Sequence, residues 1–547
     1  MTGPGVTSIL SELLHVRQLH VGPGAALLFL FAACLVYNAG LVVYRLYFSP
    51  QARFPGSKLA AASGWYEFYY DYWLDGQYIF EIERMHAKYG PIIRVNPEEL
   101  SIHDPDFYAE LYVAESTRRT NAYDIFCKGI DFDGSHLLTT DHDLHRRRRK
   151  PLEPFFSRMG VARLQPMLAE VALHLETRIR DLKGTHTVIR LDHAFSAFSG
   201  DIIGRICLNS TDETGGRFLD DPDFAPEWYN VIHAIVRSIP LFTGFPWLVR
   251  VVGLIPERVL LWAYPRGQMF NIFKDRAKRH IRRAMKSTTR EKKTEIPGNE
   301  HERAEDDDDD ENASSLFHHI VNSDMPESER SEERLAKEAQ VLLGGGTAST
   351  ARTIGFASFY ILTRPTIRSR LEAELRQPMA SWPAQVPTWA ELDKLPFLQA
   401  IVKESLRLSY GVMHRLPRVS PDVPIQYRDY TIPPGIPVGM SAYLMHSDPA
   451  VFPSPGEFIP ERWIGDKLGS SMAAMNKSYV PFCRGSRNCL GMNLAMAEMS
   501  LILAVLFRPN GPEFELFETD ETDIKQAHDF LIPLPKITTK GVRALIR

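Results

Sequence analysis

The residues with the most chemical content lie near the C-terminus, in Pro481-Phe-Cys-Arg-Gly-Ser-Arg-Asn-Cys-Leu-Gly491. Phe482, Gly485, Arg487, Cys489 and Gly491 occupy the frame F-x-x-G-x-R-x-C-x-G. At average residue frequencies, five fixed positions arise by chance in about one in ten thousand chains of this length. A lone cysteine is more often a small buried hydrophobe than a reactive group, and the frame overturns that reading for Cys489. Glycines let backbone N–H groups approach a sulfur, Arg487 adds positive charge, and a helical pattern resuming at Asn493 points the positive end of a helix at the same place. All three favour the thiolate, the form in which a cysteine is chemically competent. Cys483 fails the same test, because its frame would put Pro481 where the arginine belongs.

Three further groups carry less weight alone. Glu404-Ser-Leu-Arg407 places opposite charges three residues apart on one helix face, as countless surface helices do. His145-Arg-Arg-Arg-Arg149-Lys150, followed by Pro154-Phe-Phe156, reads as a localisation signal, a nucleic-acid patch or a solvated basic helix face. Gly344-Gly-Gly-Thr-Ala-Ser-Thr350 sits inside a helical stretch. Three glycines there cost ~2–3 kcal/mol against alanines, so the segment is either a helix end or a place where small residues are needed.

The elements around these groups belong to an ordinary globular chain of 547 residues, 44% hydrophobic and 24% charged. A net charge of −4 gives no overall pull towards nucleic acid or anionic membranes. The five cysteines, Cys34, Cys127, Cys207, Cys483 and Cys489, are scattered, which argues for a reducing compartment and against a disulfide scaffold; with no C-x-x-C pair, a structural zinc site has no support. Val21 to Tyr44 contains no charge, and roughly 20 apolar residues suffice to span a bilayer. A buried core helix should carry a polar stripe and a signal peptide a shorter run after a positive start, so a retained anchor is the expectation. Arg45, Arg53 and Lys58 then hold the body in the cytosol, with the N-terminus in the lumen. The expected organisation is a lumenal N-terminus (1–20), an anchor (21–47) in the endoplasmic reticulum membrane, and one domain (48–547). That membrane address disfavours the nucleic-acid reading of the basic run. Trp65 to Tyr78, rich in Tyr, Phe and Trp, suits a membrane-apposed surface or a core. Residues 286–315, with the acidic run Glu305 to Glu311, lack the apolar area to order themselves and predict a surface loop. Helices are expected over Ser331 to Thr363, interrupted at Gly344 to Gly346, and over Pro396 to Ser409, ending near Gly411. Short strands and turns follow between Tyr427 and Tyr443.

On the Cys489 frame and its companions, nearly the whole chain resembles a cytochrome P450. The resemblance implies a mainly α fold with small β-sheets and one haem b, whose axial iron ligand is Cys489. It surrounds that ligand with Phe482, Gly485, Arg487 and Gly491, and joins Glu404 and Arg407 to Arg462 of Phe458-Ile-Pro-Glu-Arg-Trp463 as a structural triad. His145 (where the family has Trp) and Arg149 become ligands of a haem propionate, as does Arg418. Gly345 and Gly346 become the small pair where the helix passes the haem. Ser349, with Thr350 beside it, keeps the hydroxyl that steers protons, while Ala348 replaces the usual acid. By rough register Ile125, Phe126, Val412, Met413, Phe530 and Leu531 line the substrate pocket. The segments Phe54 to Asp71 and His145 to Ser157 look like those of filamentous-fungal members of secondary metabolism. The implied reaction inserts one atom of O2 into a C–H bond of an apolar, terpenoid-like molecule, once or repeatedly. No flavin domain or nucleotide-binding fingerprint is present, so electrons from NADPH would come through a separate cytochrome P450 reductase, with cytochrome b5 as a further donor. Ala348 keeps open a reductase-independent haem-thiolate isomerase or dehydratase, and a non-catalytic haem-binding protein is the third reading.

Overall fold

The computed structural model describes residues 23–123, 134–208, 217–263, 268–294, 316–465 and 469–547. At the centre runs a long helix, Glu332–Thr363, continuous through the three glycines rather than interrupted by them. The helices Leu191–Leu208, Gln268–Thr294, Pro396–Ser409 and Met492–Phe507 pack around it. Leu191–Leu208 and Met492–Phe507 are buried on almost every face, as helices enclosed by others must be. Gly346 makes one of these contacts close: a Cβ there would press on the Ile203 side chain of the neighbouring helix at 3.2–3.5 Å.

The helix Pro396–Ser409 opens with proline at its first position, where no amide donor is needed, and stops where Tyr410 (φ 59°) and Gly411 (φ 61°) turn left-handed. The helix Gln268–Thr294 takes in the first residues of the stretch expected to be a loop. Residues 295–315, including the acidic run, lie outside the described residues.

The β structure is small and peripheral. A five-stranded sheet runs Ile92–Arg94, Leu100–Ile102, Pro437–Gly439, Arg418–Val419, Asn121–Ala122, antiparallel except where Leu100–Ile102 meets Pro437–Gly439. A hairpin pairs His528–Phe530 with Ile532–Leu534. A three-stranded sheet ties Ile189–Arg190 to the C-terminal strand Arg543–Ile546 and to Phe514–Leu516, and a second hairpin pairs Ile425–Tyr427 with Tyr430–Ile432. The fold is therefore mainly α with small sheets.

At the N-terminus the helix Pro23–Val43 continues to Phe48 in wider turns. Over Ala26–Phe48 it is long and apolar enough to cross a membrane, and none of that span is buried in the protein. Arg45 ties its end to the body by donating to the Ala62 carbonyl (3.0 Å), while its own carbonyl accepts from Arg94 (2.6 Å).

Candidate active site

Two charges of the helix Pro396–Ser409, Glu404 and Arg407, are wholly buried. Arg407 forks onto both carboxylate oxygens (2.8 and 3.0 Å) and spends its other donors on the carbonyls of His446, Pro455 and Glu457. Glu404 also accepts from Arg462 Nε (2.9 Å), from the Ile459 amide (3.0 Å) and from the Trp463 indole (2.8 Å). A buried pair offsets its desolvation only when geometry is this complete. Sequence reading missed His446, which extends the clamp. Burial, then Arg407, pushes its pKa down to about 3, so the ring is neutral. Its Nε2 accepts the Val480 amide (2.9 Å), which leaves Nδ1–H to donate to the Arg407 carbonyl (3.0 Å). Val480 begins the cysteine loop, so one imidazole joins clamp to loop. No local pattern around His446 announces this, because both partners are distant in sequence.

In the loop, Gly485 takes φ +77° against the chain at Tyr112 and Val113, where a Cβ would collide with both backbone carbonyls. Ser486 donates to the Val113 carbonyl (3.0 Å), and the Cys489 amide closes on the Phe482 carbonyl (2.9 Å). The Gly491 amide is directed at the Cys489 sulfur, as the spacing of glycines suggested. Arg487 plays a different part from the one expected. Its guanidinium is bound to the carbonyls of Thr120, Thr139 and Thr140 (2.7–3.2 Å), stitching the loop to that segment. The cation that acts on the thiol is Arg149, which holds the Asn488 carbonyl (2.6 Å) and its side-chain oxygen (2.8 Å) and pairs with Glu153. Even so, burial outweighs these influences and pushes the Cys489 thiol up, although Cys489 itself keeps accessible surface.

His145 and Arg149 lie on the buried face of the helix His142–Arg149, whose N-cap Asp141 accepts from the Leu144 amide (2.8 Å). Burial, followed by Arg487, His136, Arg149 and Arg418, drives the pKa of His145 far down. Three arginines are among the groups that disfavour the charged imidazole, which suits the place to anions. Arg418, on its short strand, is buried beneath Tyr112, with its guanidinium 5.2 Å from the ring centre. Arg148 differs from its neighbours in the basic run. It is bound to Glu329 (2.6 and 3.0 Å) and Thr139 (2.9 Å), so only Arg146, Arg147 and Lys150 remain as exposed charge there.

On the central helix, Gly345 is exposed among buried residues, and a Cβ there would meet nothing within 4 Å. One turn on, Ser349 Oγ donates back to the Gly345 carbonyl (3.0 Å), so a glycine and a hydroxyl share one open face. Thr350 is about 100° further round and buried. Gly346 serves the Ile203 contact instead of the open face. Ala348 packs against the apolar core, where a carboxylate would be a buried charge.

Of the expected pocket residues, Ile125 and Phe126 lie outside the described residues. The other four are brought together, because the Met413 amide donates to the carbonyl of Leu531 (3.0 Å) at the hairpin tip. Their environments differ. Met413 is fully buried in an apolar cluster with Tyr78, Ile79 and Tyr410, so it is core, not lining. Val412 is half-buried, Leu531 takes a left-handed φ of 78° at the tip, and Phe530 borders a cavity of about 570 Å³.

A soft sulfur with accessible surface, buried cations gathered about His145, and a glycine-opened helix face form a donor set that fits an iron porphyrin with two carboxylate arms. The cytochrome P450 family model matches residues 62–540. The chain belongs to the cytochrome P450 family. It is 50% identical over 524 residues to the cytochrome P450 monooxygenase oblB of Aspergillus clavatus, covering 94% of this chain and 97% of the relative. It is 49% identical over 523 residues to the fusicoccadiene C-8 hydroxylase of Alternaria brassicicola (95% and 96%), and 44% identical over 541 residues to the stellatic acid synthase of Emericella variicolor (94% of each). This P450 is thus a haem-thiolate monooxygenase similar to fungal enzymes of secondary metabolism. Those relatives are named for oxidations, which weighs against the isomerase and haem-carrier readings that Ala348 left open.

Proposed function

We propose that this P450 hydroxylates a terpenoid skeleton at a membrane surface, in one or several rounds, with electrons from NADPH through a separate reductase and cytochrome b5 as a second donor. The observation that carries this reading is the combination of Cys489, with its sulfur accessible, and the open Gly345–Ser349 face of the central helix. The haem, bound through Cys489, supplies the activation of O2; the net reaction turns C–H, O2, NADPH and a proton into C–OH, water and NADP+.

The protein's share is positioning and proton supply. His145, Arg149 and Arg418 neutralise the propionates. The Glu404–Arg407–Arg462 clamp, through His446, fixes where the loop presents Cys489. Phe482, Gly485 and Gly491 shape that loop, and Arg487 locks it to Thr120 and Thr139. Ser349 holds a mobile proton at the open face, its hydroxyl exchanging the Gly345 carbonyl for water. With Ala348 turned into the core, water bound at Ser349 takes the place of a carboxylate relay. Thr350 sets the packing behind it. Val412, Leu531 and Phe530 border the substrate; Ile125 and Phe126, assigned to the same pocket by sequence register, lie outside the described residues.

The body is placed in the cytosol, anchored in the endoplasmic reticulum membrane by the helix Pro23–Val43, with residues 1–20 on the lumenal side and 48–547 forming one catalytic domain. Trp65, Tyr69 and Trp73 are exposed beside that anchor, as are Trp247, Leu254 and Trp262 on and beyond the helix pair Pro226–Gly244 and Trp247–Gly253, which bends by 120°. Aromatic side chains of this kind suit the lipid headgroup level, so an apolar substrate enters from the bilayer.

The test is turnover by the full chain in lipid nanodiscs with reductase, NADPH and isotopically labelled O2, offered a panel of fungal terpenes led by fusicoccadiene and its C-8 alcohol. The reading expects a product carrying one labelled oxygen atom, formed only with reductase. A product formed equally without reductase and without label would replace it with the isomerase reading.

A further inference from the structure

The cavity bordered by Phe530 is lined also by Asp71, Tyr72, Trp73, Asp75, Arg237 and Ser238, on the aromatic segment and the helix Pro226–Gly244. At about 570 Å³ it is within the range of sites that hold small molecules. Tyr72, Trp73 and Phe530 contribute rings to its walls, with the Arg237 guanidinium 5.9 Å from the Phe530 ring centre. Asp71 is the buried one among its polar residues. It is 92% buried, being 8% exposed; its Oδ1 is enclosed and has no hydrogen-bond partner among the described residues, and the small surface left to the residue borders the cavity.

The charges behind Asp71 explain why it stands apart. Arg415 is taken by Glu99 (2.6 Å) and by Glu67, and Glu67 also accepts from Asn96 (2.8 Å). His414 is paired with Asp529 (3.1 Å), whose other oxygen accepts the Leu531 amide (3.0 Å). Three acids of the cluster are thus engaged, while the fourth points one oxygen at nothing. Burial, with Glu67 and Asp529 nearby, pushes Asp71 up to about 8 against the opposing pull of His414 and Arg415. At neutral pH it is a carboxylic acid, able to donate one hydrogen bond and accept another. Buried polar groups without partners are rare in folded proteins, and each calls for an explanation.

We propose that this cavity is a subsite for an oxygen atom already present on the substrate, and that the Asp71 carboxyl binds that oxygen. The reading rests on the monooxygenase function above and narrows it: the preferred substrate is a neutral terpenoid alcohol or ketone, and the bare hydrocarbon is the weaker ligand. Tyr72, Asp75 and Arg237 are the other titratable groups lining the cavity.

The experiment measures binding of fusicoccadiene and of its C-8 alcohol to the haem-loaded full chain, in wild type, Asp71→Asn and Asp71→Leu. Wild type is expected to bind the alcohol about fivefold more tightly, the scale of one neutral hydrogen bond. Asp71→Asn, still a donor, keeps the preference; Asp71→Leu binds both alike. In the infrared, the carboxylic-acid carbonyl band lost in Asp71→Asn should shift in wild type when the alcohol binds, whatever the state of the iron. An unchanged preference in Asp71→Leu, equal or no binding of the two ligands by wild type, or a band that does not move overturns the subsite. Loss of the thiolate signature or of labelled-oxygen incorporation would instead overturn the function, so the two failures are separable.

Discussion

Around Glu404, five donors converge on one carboxylate: two from Arg407, one each from Arg462 and Trp463, and the Ile459 amide. Asp71 is also deeply buried, yet its Oδ1 meets no donor or acceptor among the described residues. The two carboxyls show how this P450 divides its polar groups. On the cysteine side the chain answers its own charges and so fixes a loop. Around the aromatic segment it leaves hydrogen-bonding capacity and exposed rings for something the chain does not contain. A saturated cluster reports architecture; an unsaturated one reports a ligand.

That contrast can be broken at several points. The largest effect belongs to Arg407→Ala, which strands a buried carboxylate and three carbonyls. It is expected to lose about 3–5 kcal/mol of stability in chemical denaturation, with little haem retained. His446→Leu leaves the Val480 amide and the Arg407 carbonyl without their partner, so roughly 2–4 kcal/mol should go. Because the link runs to the cysteine loop, the reduced carbon-monoxide spectrum should also shift towards a non-thiolate form in the protein that remains folded. Ser349→Ala should leave stability alone while lowering turnover about tenfold to a hundredfold, since a positioned proton donor is removed. Thr350→Val, isosteric and buried, should leave turnover at the wild-type level, sharpening the assignment to Ser349.

The smallest effect probes an exception on the cysteine side. Glu498, on the helix Met492–Phe507, is fully buried with one oxygen unpaired, and burial pushes it up to about 8. A raised carboxyl contributes stability in full below its unfolded pKa and loses it as pH climbs through the folded value. Wild type should therefore lose stability between about pH 4.5 and 8 from this group, and Glu498→Gln should flatten that fall, read as thermal midpoints at pH 5 and pH 8.

Much of this was legible in the chain itself, and the reasons are local. The N-terminal apolar helix declares itself by an uncharged run, and the helix Pro396–Ser409 by proline at its start and glycine after its end. The Cys489 frame declares itself by residues whose backbone and charge act within a few positions. What stayed hidden depends on contacts far apart in sequence. Arg487 reads as a neighbour of the thiol, but the segment from Thr120 to Thr140 claims it. Arg148 reads as one more surface charge until Glu329 is brought beside it. Gly346 reads as half of a pair facing the haem, whereas Ile203 requires it to be small. Met413 differs from Phe530 only in which side of a hairpin tip it faces. Asp71, the most informative missed residue, carries no motif; its meaning lies in partners that other residues have already taken.

The central claim is that Cys489 ligates a haem iron as a thiolate. The most direct measurement is the absorption spectrum of the reduced, carbon-monoxide-bound full chain in membranes, for wild type and Cys489→Ala. A strongly red-shifted Soret band in wild type that vanishes in the variant is the predicted result. A band at the position typical of histidine-ligated haem, the same in both proteins, would contradict the ligand assignment and the mechanism built on it.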